Sequence, residues 1–232
     1  MKPEYSIVIP CYNKIALTKI CVKSVIQMSA KYDYELIVVA NGCHDGTEDW
    51  ILNQIMDPHI VLVSYNEPIG GGEAINVGFR LANGEYIATI NNDTRILGPE
   101  WLSLLRKPFD LDPRMAVTGP LEQGFPEIGS SFLVFFCAMT RRKILDTLGY
   151  LDTDTFKTGG CEDADFCERA KRAGLHIQQV PQEQYKVVGE LNIGNFPIYH
   201  QGEGTVHDAT LVQNWKSILA GNRKILVDRY LK

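Results

Sequence analysis

The chain has 232 residues, of which 45% are hydrophobic and 22% are charged, and its formal net charge at pH 7 is −5. This composition is typical of a globular protein with enough apolar residues for a sizeable core. A negative net charge without a basic cluster argues against nucleic acid as a partner.

The N-terminus and the cysteines favour a cytoplasmic location. The first residues, MKPEYSIVIPCYN, lack the long apolar run of a signal peptide. The longest apolar candidate, SSFLVFFCAMT, is shorter than the roughly 20 residues of a membrane span. Six cysteines, at positions 11, 21, 43, 137, 161 and 167, contain no CxxC pair, which disfavours structural zinc. Their even number leaves disulfides open.

The first half of the chain alternates predicted strands and helices. Short runs rich in β-branched residues predict strands at 6–10, 35–40, 60–65 and 86–90. Apolar residues at helical spacing predict helices at 14–28, 47–55 and 73–82, and Pro99 opens another over 99–105. Near-continuous apolar strands between amphipathic helices indicate an α/β fold, with a mostly parallel sheet covered on both faces.

The second half is less regular. It carries predicted strands at 115–118, 132–139 and 176–180, and predicted helices at 141–148, 162–173 and 208–230. The last helix has an apolar stripe opposite basic residues. Packing against the sheet and a dimer contact are the favoured uses of such a stripe, and an anionic membrane surface is a further alternative. No repeat or linker marks a domain boundary.

Polar clusters follow three of the predicted parallel strands: PCYN, ANGCHDGT and NNDT. Open parallel sheets bind ligands beyond the carboxyl ends of their strands, so these clusters predict a ligand site. Asp93, flanked by Asn91, Asn92 and Thr94, suits Mg²⁺ or Mn²⁺, but the same residue types also favour a plain turn. From NNDT alone the two interpretations are equally supported.

Three further residues are candidates for chemistry. Glu162 and Asp163 open a predicted helix, where carboxylates commonly complement the helix dipole, but where one could also serve as an ionised general base. His200 lies beside a glycine-rich turn, and His207 is its competitor. The turn after the first strand, PCYNK, contains no glycine, and no P-loop sequence occurs, which argues against NAD and ATP sites.

Taken in order, six segments resemble family 2 glycosyltransferases of the GT-A fold, and rhamnosyltransferase-like members in particular. They are SIVIPCYNK, NGCHDGT, NEPIGGGEAINVGFRLANGEYI, NNDT, LGYLDTDTFKTGGCEDADFCERAKRAG and YHQGEGT. The resemblance covers roughly residues 5 to 207. Each segment alone is a weak signal, and the specificity lies in their order.

The resemblance implies a single GT-A domain over 1–232. A mostly parallel nucleotide-binding sheet flanked by helices would occupy 1–118, and a mixed acceptor-binding half with a C-terminal helix would occupy 119–232. It implies an inverting enzyme of polysaccharide biosynthesis that moves a sugar from a nucleotide-diphosphate donor to a hydroxyl of a glycan or another acceptor.

The resemblance also assigns roles to residues. Asp163 would be the catalytic base and Glu162 would help to orient the acceptor. Asp93 and His200 would bind Mn²⁺ or Mg²⁺. The residues implied to bind the nucleotide sugar are Pro10, Cys11, Tyr12, Asn13, Ala40, Asn41, Gly71, Ala74, Asn91 and Asn92.

One departure keeps alternatives open. The second strand of the family ends in an aspartate that reads the base, and here that position is Ala40. Asn41 or Asp45 would have to take over a base or ribose contact. A catalytically silent module that binds sugar nucleotides or glycans is therefore an alternative. A nucleotidyltransferase is a third hypothesis, although PCYNK is unlike the basic, glycine-rich loop it would need.

Overall fold

The three-dimensional structure is a computed structural model that describes residues 2–55, 57–157, 159–180, 196–202 and 214–231. The strands are β1 (Tyr5–Cys11), β2 (Tyr34–Asn41), β3 (Ile60–Tyr65), β4 (Tyr86–Ile90), β5 (Thr94–Ile96), β6 (Met115–Gly119), β7 (Glu122–Phe125), β8 (Ser130–Leu133), β9 (Cys137–Arg141), β10 (His176–Gln179) and β11 (Ile198–His200). The helices are α1 (Ile15–Ser29), α2 (Thr47–Gln54), α3 (Gly71–Leu81), α4 (Trp101–Leu111), α5 (Arg142–Leu148), α6 (Glu162–Arg172) and α7 (Trp215–Tyr230), and a 3₁₀ turn covers Pro126–Ile128.

The main sheet has seven strands in the order β10-β6-β9-β4-β1-β2-β3. Strands β1 to β4 are parallel to one another, and β10 is parallel to β6. Only β9 is reversed within this sheet, because it is antiparallel to both β4 and β6. The predicted mostly parallel α/β sheet is thus confirmed, and the carboxyl ends of β1, β2 and β4 meet at one edge.

Two apolar cores cover the two faces of the sheet. Ile7 and Ile9 of β1 face a core that includes residues of α1 and α4. The intervening Val8 faces the opposite core, which includes residues of α3, α5 and α6. Successive strand residues point to opposite faces, so an uninterrupted apolar strand can bury both faces.

Helix α3 lies unusually close to β1. A Cβ atom added to Gly78 would stand 2.2 Å from Val8 Cγ1. The absence of a side chain at Gly78 therefore lets the α3 backbone rest directly on the central strand. This contact fixes the glycine-rich start of α3 beside the carboxyl edge of the sheet.

The structure differs from the sequence prediction mainly in short elements. The predicted strand 132–139 is two strands, β8 and β9, separated by Val134, Phe135 and Phe136. Strands β5, β7 and β11 were not predicted, since each has only three or four residues. Helix α4 continues through Pro108 to Leu111, beyond the predicted end at 105. The predicted start of the last helix, 208–213, lies outside the described residues.

Within the described ranges, none of the helices has the length and apolar character needed to cross a bilayer.

Candidate active site

A cavity of about 250 Å³ opens at the carboxyl edge of the sheet. It brings Asp93, Glu162, Asp163 and His200 together from segments that are far apart in the sequence. Its remaining lining consists of two asparagines, a glycine and six apolar side chains, namely Asn91, Asn92, Gly160, Ile75, Val134, Phe135, Phe136, Leu151 and Trp215. The cavity therefore has acidic groups and a histidine in a largely apolar wall.

The pairing of β5 with β11 places His200 beside Asp93. In this antiparallel pair, His200 lies opposite Thr94, and the Gln201 N–H donates to the carbonyl oxygen of Asp93 at 3.1 Å. His200 Nε2 stands 3.1 Å from Asp93 Oδ1, and both side chains are more than nine-tenths buried. The His200 ring also stacks on Phe136, with centroids 4.1 Å apart.

These two side chains fit a divalent cation. Neither ring nitrogen of His200 forms a hydrogen bond within the described part of the chain. Two ligands that hold Mg²⁺ or Mn²⁺ at about 2.1 Å and at a right angle stand about 3 Å apart, close to the observed separation. Among the described residues there is no group of three or more histidine, cysteine, aspartate or glutamate side chains suited to a metal. Any ion here would need oxygen ligands from phosphate or water as well.

Asn92 ties the loop after β4 to the loop after β1. Its buried Nδ2 donates to the Asn13 carbonyl oxygen at 3.2 Å and to Thr18 Oγ1 at 3.0 Å. Asn91 is held through its backbone, because its N–H donates to the Phe136 carbonyl oxygen at 2.8 Å. The NNDT segment is thus both an ordered turn and part of the cavity wall.

Glu162 and Asp163 are the first two residues of α6, and both line the cavity. The Phe135 and Ala164 N–H groups donate to the Asp163 carboxylate, at 3.4 and 2.8 Å. Burial raises the pKa of Asp163 above its ordinary value. Burial, and then the neighbouring charge of Asp163, raise the pKa of Glu162 as well, and Glu162 Oε2 has no hydrogen-bond partner among the described residues. At neutral pH the pair therefore favours retaining a proton.

The residues at the ends of β1 and β2 lie outside the lining of this cavity. Pro10, Tyr12 and Asn13 are partly exposed, whereas Cys11 and Ala40 are buried. Asn13 Oδ1 accepts the His44 N–H at 2.8 Å, which joins the two strand ends.

The polar groups proposed to replace the base-reading aspartate already have partners. Buried Asn41 accepts the Ile69 N–H on Oδ1 at 2.7 Å. Asp45 accepts the Ile15 N–H on Oδ2 at 2.6 Å, and accepts from the Thr47 hydroxyl on Oδ1 at 2.7 Å. Both side chains thus hold the loops after β1 and β2 in place.

The start of α3 approaches the cavity from another side. A Cβ atom on Gly72 would lie 3.4 Å from Glu162 Oε1, so this backbone passes directly beside the acidic pair. Gly71 faces open space, whereas Ala74 is fully buried. Neither residue lines the cavity.

Sequence analysis missed the apolar wall. The run SSFLVFFCAMT predicted only a strand, and nothing in its pattern indicated that Phe135 and Phe136 leave the sheet to face the acidic residues. Trp215 lies within the predicted last helix, and nothing in the sequence of that helix relates it to the cavity. His207, the competitor of His200, lies outside the described residues.

Comparison with known proteins agrees with this architecture. The family model described as "Glycosyl transferase family 2" matches residues 6–131, more than half of the chain. The undecaprenyl-phosphate 4-deoxy-4-formamido-L-arabinose transferase of Photorhabdus laumondii subsp. laumondii is 28% identical over 131 residues, covering 55% of this chain and 36% of that protein. The poly(ribitol-phosphate) beta-glucosyltransferase of Bacillus spizizenii is 37% identical over 97 residues, covering 40% of this chain and 15% of that protein. The chain thus matches well under half the length of these curated relatives.

A solved structure shares the fold. The mannosyltransferase PcManGT from Pyrobaculum calidifontis, in complex with GDP-Man and Mn²⁺, aligns with a TM-score of 0.64 at 20% sequence identity. The alignment covers 78% of this chain and 55% of that chain.

Proposed function

The chain belongs to glycosyl transferase family 2 and has the GT-A fold, and from that premise we propose that it transfers a sugar from a nucleotide-diphosphate donor to an acceptor hydroxyl. The proposed reaction inverts the anomeric carbon and is assisted by Mn²⁺ or Mg²⁺. The observation that carries the proposal is that Asp93 and Asp163 line one cavity although they belong to different halves of the chain.

Asp163 is the proposed catalytic base. A single displacement at the anomeric carbon needs one carboxylate within reach of the acceptor hydroxyl, and no second, nucleophilic carboxylate. Backbone N–H donors from Phe135 and Ala164 fix the direction of the Asp163 carboxylate. Its raised pKa makes it a stronger proton acceptor than an ordinary aspartate, while it still ionises below neutral pH.

Asp93 and His200 are the proposed protein ligands of the metal. When bound, a divalent cation supplies positive charge against the phosphate oxygens of the leaving nucleoside diphosphate. The stacking of His200 on Phe136, and the β5–β11 pairing, hold the imidazole and the carboxylate side by side before any ligand arrives.

The apolar wall has a role of its own. Phe135, Phe136 and Val134 restrict water around the reacting groups, which strengthens the electrostatic interactions there and limits hydrolysis of the donor. Glu162, beside Asp163, is proposed to hydrogen-bond an acceptor hydroxyl. With its pKa raised, it can do so as a protonated, donating group.

The identities of the sugar donor and of the acceptor are proposed as well. The two curated relatives are named for transfer to undecaprenyl phosphate and to poly(ribitol phosphate), and the solved neighbour was bound to GDP-Man and Mn²⁺. These names support a role in polysaccharide biosynthesis with a glycan or polymer acceptor. Ala40 offers no polar side chain to a nucleotide base, so base recognition must come from other groups, and the rhamnosyltransferase-like motif order adds a rhamnose donor to those worth testing.

A donor panel tests the proposal. Purified protein is incubated with UDP-, GDP-, dTDP- and CMP-sugars, with and without Mn²⁺, and both thermal shift and release of nucleotide are measured. We expect at least one donor to be bound and turned over in a Mn²⁺-dependent way, with turnover lost in Asp163→Asn. Binding without turnover in the wild type would instead support the catalytically silent binding module.

A further inference from the structure

The turn that precedes the acidic pair has an unusual backbone. Gly159, Gly160 and Cys161 have φ angles of 90°, 87° and 80°, so three successive residues adopt the left-handed region. Glycine adopts this region freely, but a cysteine there is strained and persists only where its surroundings hold it. Glu162 and Asp163 follow directly, so the direction of their side chains depends on this turn.

Asn222 of α7 is hydrogen-bonded to the turn at two points. Its Nδ2 donates to the carbonyl oxygen of Gly159 at 2.9 Å and to that of Gly160 at 3.0 Å. A side-chain amide has two N–H donors, and both are used here. The residue is 8% exposed, which shelters these hydrogen bonds from competing water. The two carbonyl groups are therefore held in a fixed direction.

Apolar residues of α7 close over the same turn. A Cβ atom on Gly160 would stand 3.1 Å from both Leu219 Cδ1 and the Trp215 ring, so α7 lies in contact with the glycine backbone. Cys161 packs in an apolar cluster with Leu226 of α7 and Phe156. The strained cysteine is thus enclosed from the α7 side.

The C-terminal end of α7 is bonded to α6 as well. Arg229 Nη1 and the Tyr230 hydroxyl both donate to Asp165 Oδ1 at 2.7 Å, and Asp165 is fully buried. Helix α7 therefore contacts the turn before the acidic pair and also the helix that carries it. Among these polar contacts, the hydrogen bond from Asn222 to Gly160 lies nearest to Glu162 along the sequence.

We infer that Asn222 is a positioning residue, whose amide holds the Gly159–Gly160 turn so that Glu162 and Asp163 point into the cavity. Asn222 does not line the cavity itself, so it acts through the backbone and does not touch the reactants. The effect of Asn222 on catalysis rests on the proposed function, whereas its effect on the direction of the Glu162 and Asp163 carboxyl groups does not.

Two variants at adjacent positions of α7 test the inference. Asn222→Leu keeps the branched shape and the number of heavy atoms of the side chain and removes the donors. Arg223→Ala removes the 2.6 Å ion pair of the next residue with Glu127 and leaves the Asn222 amide and its hydrogen bonds to the turn in place. Each folded variant is compared with the wild type in kcat and donor KM, using the donor found active in the panel, and in ¹³C NMR titration of the Asp and Glu carboxyl groups. Asn222→Ala serves in place of the leucine variant if that protein does not fold.

We expect Asn222→Leu to lower kcat on the order of 10- to 100-fold, as a small displacement of reacting groups does, with little change in donor KM. The Glu162 and Asp163 titrations should shift, whereas Arg223→Ala should retain the wild-type kcat and titration. A wild-type kcat and titration in the Asn222 variant, or an equal change in Arg223→Ala, would overturn the inference. If no donor is turned over by the wild type, the proposed function fails and the titration alone decides the role of Asn222.

Discussion

His200 Nε2 lies 3.1 Å from Asp93 Oδ1, although the two residues come from distant parts of the sequence. Two three-residue strands, β5 and β11, bring them together, and the Gln201 N–H bonded to the Asp93 carbonyl oxygen extends this pairing. A carboxylate and a neutral imidazole at this separation can share one divalent cation, or they can form an ion pair when the imidazole is protonated. The two alternatives predict different effects of removing either side chain on the Mn²⁺-dependent binding of a nucleotide.

If the pair binds a metal, Asp93→Ala and His200→Ala should each weaken Mn²⁺-dependent binding of a nucleoside diphosphate. We expect a loss of at least about tenfold, comparable to the effect of disturbing the surroundings of a metal ligand. Calorimetry with Mn²⁺ and UDP or GDP measures it. His59→Ala is the matched control, because His59 is half exposed and bonded to Asp57 near β3. Unchanged affinity in Asp93→Ala would remove the metal role.

Asp163→Asn should abolish sugar transfer while the donor still binds. An amide of the same shape cannot accept the hydroxyl proton, and loss of a general base lowers kcat by roughly 10²- to 10⁴-fold. Nucleotide release and donor affinity are measured together. Asp154→Asn, a change at an exposed residue of the loop before α6, is the control and should turn over normally. A fully active Asp163→Asn protein would rule out Asp163 as the base.

The Glu162 carboxyl group should make the fold less stable as pH rises. Its folded pKa is raised by burial and by Asp163, so the native state binds the proton more tightly than the unfolded chain does. Stability is then lost as pH rises from the ordinary glutamate pKa of about 4.3 through the raised folded value.

Glu162→Gln removes this penalty, and thermal unfolding measured against pH tests the effect. The variant should have a higher Tm than the wild type at alkaline pH, and the difference should vanish at acidic pH. The exposed Glu127→Gln serves as a control without such a gain, because the Arg223 ion pair lowers the Glu127 pKa. A pH-independent difference for Glu162→Gln would contradict the prediction.

Most of the sheet could be predicted from sequence because its signals are local. Strands β1 to β4 are apolar runs bounded by turn residues, and β1, β2 and β3 are each followed by a helix with its own periodic stripe. Strands β5 and β11 could not be predicted in the same way. A three-residue strand has no period of its own, and its partner is set by the tertiary fold alone.

The residues of the candidate site also fall into those that local sequence signals identify and those that only tertiary contacts identify. Asp93, Asp163 and His200 could be selected because motif order marks them. The role of Phe135 as a backbone donor to Asp163, and that of Asn222 as a donor to the turn, could not be selected, because each depends on a contact between distant segments. Residue type alone does not indicate that Phe135 or Asn222 belongs to a functional site.

Gly78→Ala should destabilise the protein strongly. The added methyl group would be placed 2.2 Å from Val8 Cγ1 in the fully buried centre of the sheet, so α3 or β1 must shift. Overpacking of a core costs about 1–3 kcal/mol, and a contact this close belongs at the upper end of that range. Urea unfolding measures the free energy. Gly221→Ala in α7 is the control, since a Cβ there meets nothing within 4 Å and should be tolerated.

Asp45 provides a test between recognition of the nucleotide and support of the fold. One carboxylate oxygen accepts the first N–H of α1, from Ile15 at 2.6 Å, and the other accepts the Thr47 hydroxyl at 2.7 Å and the Thr47 N–H at 3.2 Å, at the start of α2. Loss of a capping side chain typically costs about 0.5–2 kcal/mol, and here one residue serves two helices. We therefore expect Asp45→Ala to lower the free energy of unfolding by an amount near the top of that range.

Nucleotide binding by Asp45→Ala, measured well below its Tm, should stay close to that of the wild type, because both oxygens are already committed to the backbone and to Thr47. Asp49→Ala is the matched control, because Asp49 is an acidic residue in the first turn of α2. The opposite result, with unchanged stability but weakened binding of the nucleotide, would show that Asp45 has taken over the contact that Ala40 cannot make.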